Sequence, residues 1–279
     1  KNLGREYPVQ NVGHADLVQL ANGEWWGVAL GSRPRGGFYD GGNVKYSFGG
    51  YYRNLGRETF IFPVTWPADD LSPLFAPETG RVEMSYEAPN LQPAPLHDVP
   101  IDFSEESLNI KWLTIRNEDP KHISRESPDA LTLQLQPSFE STWFGTRQTS
   151  WNFHCSVKVD FSGMVHGDRF FLTAYIREGN FLALEVSKAD GLEISCFASS
   201  GLQERAVASA ELTKLTLELS GNDQDYTFSI PEMGFKHTLD GREISCDMTD
   251  SHTGVMIGFM GSSLHESPIG LSDFSYRVM

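Results

Sequence analysis

The chain has 279 residues, 39% hydrophobic and 12% aromatic, and carries a net charge of −15 at neutral pH. That composition supports a packed core and argues against disorder, while the acidic balance argues against a nucleic-acid partner, whose phosphates are held mainly by Lys and Arg. No apolar run approaches the ~20 residues that a membrane-spanning helix needs; residues 254–260 come nearest and are far too few.

The chain opens with Lys1-Asn2-Leu3-Gly4-Arg5, which lacks the apolar stretch of a signal peptide. The string Asn-Leu-Gly-Arg-Glu fills residues 2–6 and returns at 54–58. A spacing near fifty fits the blade period of a β-propeller. Residues 16–20 and 25–30 are apolar runs joined by Ala21-Asn22-Gly23-Glu24, and an Asn-Gly turn between such runs predicts a β-hairpin. Residues 31–57 hold eight glycines and the aromatics Phe38, Tyr39, Tyr46, Phe48, Tyr51 and Tyr52. This reads as one long irregular loop, and such loops in compact domains are usually functional. Residues 60–66 predict a strand, with Pro63 favouring an edge or bulge. Residues 1–86 therefore supply at most two blades, where a propeller needs about four or more. Either the rest of the ring lies in another chain, or this is the C-terminal portion of a longer protein.

Pro89, Pro93, Pro95 and Pro100 mark residues 87–103 as a semi-extended linker. Residues 104–279 read as all-β. Cys155, Val157, Val159 and Phe161 alternate with polar residues, as do Leu131, Leu133 and Leu135 and then Leu215, Leu217 and Leu219. Period-two alternation marks half-buried strands. Runs at 170–176, 181–186, 192–197 and 254–260 add further strands, with turns expected at 178–180, 189–191 and 220–223. Many short strands at this spacing predict a sandwich. Cys155, Cys196 and Cys246 lack CxxC spacing and read as core thiols. His237, His252 and His265 show no metal-ligand spacing. Secreted and cytoplasmic locations are both compatible with these features.

Several motifs in combination resemble glycoside hydrolase family 43, the family of β-xylosidases and α-L-arabinofuranosidases. They are Gly13-His14-Ala15-Asp16-Leu17-Val18, Asn22-Gly23-Glu24-Trp25-Trp26, Arg33-Pro34, Leu55-Gly56-Arg57-Glu58-Thr59-Phe60 and Pro63-Val64-Thr65-Trp66. Trp112-Leu113-Thr114-Ile115-Arg116-Asn117, Arg147-Gln148-Thr149, residues 253–258 and Phe274-Ser275-Tyr276 resemble the family's appended β-sandwich. The resemblance implies an all-β chain: the final blades of a five-bladed propeller at 1–86, the linker at 87–103, and a jelly-roll or concanavalin-like sandwich at 104–279.

The resemblance also implies chemistry. The family inverts the anomeric centre with an Asp base, a Glu acid and a second Asp that tunes the acid, all on earlier blades. Nothing here matches those motifs, so no catalytic residue is expected in this chain. Arg57 is expected to hydrogen-bond the sugar in the cleavage subsite, a role that suits a permanently charged, rigid fork of donors. Resemblance places His14 at the propeller axis beneath the sugar pocket, beside a water-coordinated structural Ca²⁺; no other cofactor is required. Phe38 and Tyr39 are candidates to stack on sugar faces at the pocket rim. The implied activity is release of xylose or arabinose from xylo-oligosaccharides or arabinoxylan. It requires the missing N-terminal half, as a separate chain or a cleaved segment. The competing expectation is a lectin-like, carbohydrate-binding sandwich without hydrolytic activity.

Overall fold

The computed structural model describes residues 6–37, 50–68, 72–91, 99–116, 121–198, 201–207 and 212–279. They build three antiparallel sheets. Among the described residues no helix is long and apolar enough to cross a membrane.

The first sheet is the meander β1 (Gln10–Gln19), β2 (Trp25–Ser32), β3 (Glu58–Thr65) and β4 (Leu74–Phe75), in that spatial order. Four antiparallel strands are the unit of a propeller blade. The β1–β2 hairpin closes where expected: Gln19 faces Trp25, and Gly23 takes φ +88° in the turn, a conformation that costs glycine nothing. Pro63 lies on an interior strand, contrary to the simplest reading, yet its surroundings are those of an edge. β4 pairs only with Val64 and Thr65. The Pro63 carbonyl accepts from Ala76 N at 2.9 Å on that side, while the Ala76 carbonyl accepts from Thr79 N and Gly80 N at 3.1 and 2.7 Å, so the missing Pro63 N–H leaves no ladder acceptor unpaired.

The recurring pentapeptide does not mark successive blades. Glu58 opens β3 of the same sheet that β1 begins just after Glu6; residues 2–5 lie outside the described residues. Ala29, Phe62, Val64 and Ala76 form a small buried core, whereas Val12, Val18, Val28, Ile61, Trp66 and Leu74 stay exposed.

The second region supplies β5 (Trp112–Thr114), β6 (Ile123–Ser127), β7 (Ala130–Gln134), β8 (Phe144–Arg147), β9 (Phe153–Asp160), β10 (Arg169–Arg177), β11 (Asn180–Lys188), β12 (Leu192–Ala198), β13 (Gly201–Val207), β14 (Lys214–Asn222), β15 (Asp225–Ile230), β16 (Phe235–Asp240), β17 (Met256–Ser262) and β18 (Pro268–Val278). They form two seven-stranded sheets, β13-β12-β11-β10-β17-β8-β5 and β16-β15-β14-β9-β18-β7-β6. The alternating Leu and Val residues read from the sequence line the core: Leu133, Leu135, Leu217 and Leu219 are fully buried, facing Leu172, Leu184 and Ile257 from the other sheet. The turn expected at 220–223 is displaced, because β14 continues to Asn222 and the reversal falls at Asp223, at φ +52°. Phe103, at the end of the expected linker, is 1% exposed. It stacks on Phe274 with centroids 5.4 Å apart, since a large aromatic ring gains more from burial than from water. The sandwich core thus reaches back into the proline-rich stretch.

Candidate functional site

β1 is an edge strand broken by two register shifts, between Gln10 and Gly13 and between Gly13 and Asp16. Asn11 and His14 both take φ +55° there. Bulges of this kind re-aim side chains and recur beside active sites. Ser32 Oγ donates to Asn11 Oδ1 at 2.9 Å and pins the first bulge. The second presents His14, whose Nδ1 lies 3.2 Å from Arg57 Nη2. A guanidinium has donors only, so Nδ1 accepts and the proton of neutral His14 resides on Nε2. The outward-facing ring nitrogen is therefore a donor.

Arg57 has one unmet need. Its Nε is buried and has no hydrogen-bond partner among the described residues. A buried charged donor without an acceptor costs several kcal/mol in order of magnitude. The neighbouring carboxylate is already committed: both Glu58 oxygens bind Arg33, at 2.9 and 2.6 Å, and that pairing raises the Arg33 pKa. Asp16 accepts from Leu17 N at 2.9 Å, a local turn contact. The inter-blade salt bridge that Arg57 alone would suggest does not form among the described residues.

What precedes Arg57 is a joint to the sandwich. Asn54 is fully buried. Its Nδ2 donates to Gly241 O at 2.7 Å and to Tyr226 Oη at 3.3 Å, and its Oδ1 accepts from Gln224 Nε2 at 3.1 Å. Tyr226 Oη in turn donates to Gln148 Oε1 at 2.8 Å. The Asn54 carbonyl accepts from Val255 N at 2.7 Å. Gly56, at φ +71°, packs backbone to backbone against Gly254; a Cβ on Gly56 would lie 2.9 Å from Gly254 Cα. Arg53 pairs with Asp247, and Cys246 Sγ donates to Arg53 O at 2.9 Å. The other stem of the glycine-rich loop is held similarly, with Arg35 on Asp223 at 2.9 Å and Trp151 Nε1 donating to Arg33 O at 3.1 Å. Gly56, Gln148, Gly254 and Val255 stand in motifs of the sequence, but nothing in it shows that they meet or that Asn54 joins them.

A groove of about 370 Å³ runs beside β1, lined by Asn11, Gly13, His14, Phe62, Phe75 and Arg81 among others, with no carboxylate in its wall. Among the described residues no cluster of three His, Cys, Asp or Glu could hold a metal. Calcium takes oxygen ligands and His14 offers a ring nitrogen, so contact of His14 with a calcium ion would run through water. None of the three cysteines is in a disulfide and all are buried; burial pushes the Cys246 thiol up to about 11. Phe38 and Tyr39 lie outside the described residues.

A family model described as "Beta xylosidase C-terminal Concanavalin A-like domain" matches residues 100–277. Over 97% of its length the chain is 30% identical to "Non-reducing end alpha-L-arabinofuranosidase BoGH43B" of Bacteroides ovatus, covering 51% of that protein. It is 33% identical over 67% of its length to a "Xylosidase/arabinosidase" of Butyrivibrio fibrisolvens, covering 35% of it. The solved structure of a Bacteroides ovatus protein titled "Xyloglucan PUL GH43B" superposes with a TM-score of 0.81 at 29% identity, over 98% of this chain and 55% of that one. The chain thus spans about half the length of the first of these relatives. With its single blade-like sheet running into a concanavalin-like sandwich, it belongs to glycoside hydrolase family 43.

Proposed function

We propose that these residues form one wall of the sugar pocket of an inverting glycosidase that releases xylosyl or arabinosyl units from xylan-derived chains. The carrying observation is the Arg57–His14 pair: a guanidinium set by a bulged edge strand, one N–H on His14 and a buried Nε left without an acceptor. In this reading residues 1–86 close the propeller, 104–279 brace it, and the ring's remaining blades bring the acid, the base and the acceptor for Arg57 Nε. Inversion needs two carboxyls ~6.5–9.5 Å apart with a water between them, and the groove beside β1 offers none. Arg57 orients the sugar and His14 Nε2 donates toward the pocket; Phe38 and Tyr39 flank the rim. Any calcium at the axis would take its oxygen ligands from outside the described residues. The test is Arg57→Ala in the full-length enzyme. Losing a charge-assisted hydrogen bond to the sugar lowers kcat/KM on nitrophenyl pentosides about 10- to 100-fold, and unchanged turnover refutes the assignment.

A second reading rests on a different surface. On the outer face of the sheet containing β10 and β11, a cleft of about 340 Å³ is lined by Phe139, Trp143, Tyr175 and Phe181 with Glu140 and Glu178. Trp143 Nε1 is buried there without a partner, and burial together with the two carboxylates pushes Tyr175 up to about 12. Aromatic faces flanked by carboxylate acceptors suit a neutral sugar. Under this reading Tyr175→Ala abolishes retention on insoluble xylan and spares pentoside hydrolysis; equal retention refutes it.

A further inference from the structure

The sugar pocket assigned above has a counterpart in the sandwich, within the motif Arg147-Gln148-Thr149. Arg147 ends β8 and faces Met256 across the β8–β17 ladder, next to the strand that delivers Gly254 and Val255. Its Nη2 donates to Leu55 O at 2.9 Å and lies 3.5 Å from Arg57 O. One nitrogen therefore reaches the carbonyls on either side of Gly56. That residue takes a left-handed φ of +71°. Arg147 has no carboxylate partner among the described residues, so its charge is directed at main-chain oxygens. A charged donor on a neutral carbonyl makes a stronger, shorter bond than a neutral one, and the five fixed donors of arginine let one group hold two peptides.

We propose that Arg147 is a positioning residue for the pocket: it fixes the peptides around Gly56 and so sets where the Arg57 guanidinium begins. Among the described residues its side chain bonds only main-chain oxygens of this stem and not the His14 ring, so it acts through the backbone of Arg57. The inference rests on the assignment of Arg57 to the sugar pocket, and it makes the sandwich part of the specificity machinery rather than a remote brace.

The test uses the full-length enzyme with Arg147→Ala, Arg147→Lys, Arg57→Ala and the double variant Arg57→Ala/Arg147→Ala, on nitrophenyl pentosides, with thermal midpoints alongside. Arg147→Ala is expected to lower kcat/KM about tenfold with little change in the midpoint. Arg147→Lys is expected to restore most of that, because one ammonium N–H can still reach Leu55 O. In the Arg57→Ala background the loss at Arg147 is expected to vanish, since coupled positions are not additive. A loss of the same size in both backgrounds overturns the proposal, as does wild-type activity in Arg147→Ala while Arg57→Ala is crippled. Wild-type activity in Arg57→Ala instead overturns the pocket assignment itself.

Discussion

Replacing Asn54 tests whether the joint or the sheet faces hold the two regions together. Its side chain makes three hydrogen bonds in full burial: to Gly241 O at 2.7 Å, to Tyr226 Oη at 3.3 Å and from Gln224 Nε2 at 3.1 Å. In Asn54→Ala, Gln224 keeps its bond to Arg35 O at 3.0 Å and Tyr226 keeps Gln148 at 2.8 Å, so each retains one partner. Two well-formed bonds are lost at roughly 1 kcal/mol each, Gly241 O is left short of a donor, and the departed carboxamide leaves a void. Together these give about 2–4 kcal/mol. In a chain of this size each kcal/mol lowers the melting midpoint by ~2–4 °C. Asn54→Asp keeps the shape yet replaces the donor with a buried charge opposite a carbonyl, so it costs more, about 3–5 kcal/mol. Equilibrium urea unfolding of the parent and both variants measures the order. An Asn54→Ala protein within ~0.5 kcal/mol of the parent, or an Asp variant milder than the Ala variant, refutes the reasoning.

Gly56 and Gly80 take nearly the same left-handed φ, +71° and +67°, but a Cβ on Gly80 would meet nothing within 4 Å. Gly80→Ala therefore costs only the backbone strain, ~1–2 kcal/mol, while Gly56→Ala adds collision with Gly254 and destabilises severely; equal losses by thermal denaturation count against the close approach. Burial pushes Cys155 up to about 12 and Cys246 up to about 11, from 9.0 for a free thiol. Above pH 9 the unfolded chain has released protons that the folded chain keeps, so stability falls as pH rises, by up to ~1.4 kcal/mol per pH unit for each thiol until its folded pKa is reached. Urea midpoints at pH 8 and 10 check this, and equal midpoints contradict it. Phe103→Ala removes an aromatic ring that packs on Trp112 and Phe274, for a loss of ~3–5 kcal/mol; a surface-like loss below ~0.5 kcal/mol by the same assay excludes it from the core.

The strands were legible where alternation is dictated by a buried face, as at Leu131–Leu133–Leu135 and Leu215–Leu217–Leu219, and where a turn has one chemistry, as at Asn22-Gly23. Pro63 was read for the bond it cannot make, which was sound, but the brevity of β4 that satisfies it is not written locally. The bulges at Asn11 and His14 left no trace, since neither residue needs the left-handed region by type and the register is set by pairing with β2. Asn54 was least legible of all. In sequence it is one polar residue in a turn, and its partners Gln224, Tyr226 and Gly241 are known only once the sandwich has brought the β14–β15 turn to it. Arg57 stands out through its motif, yet its backbone is set by Arg147 and Gly254, whose own motifs give no sign of that contact.

The pairing of Gly56 with Gly254 has a consequence for biosynthesis. During translation the segment at 54–57 leaves the ribosome well before residues 224–255 exist, and domains generally begin folding from the N-terminal side as they emerge. The blade can form early, but the turn carrying Arg57 stays unlocked until residues 224–255 have been made. A nascent chain stopped short of them holds its arginine on a loose tether.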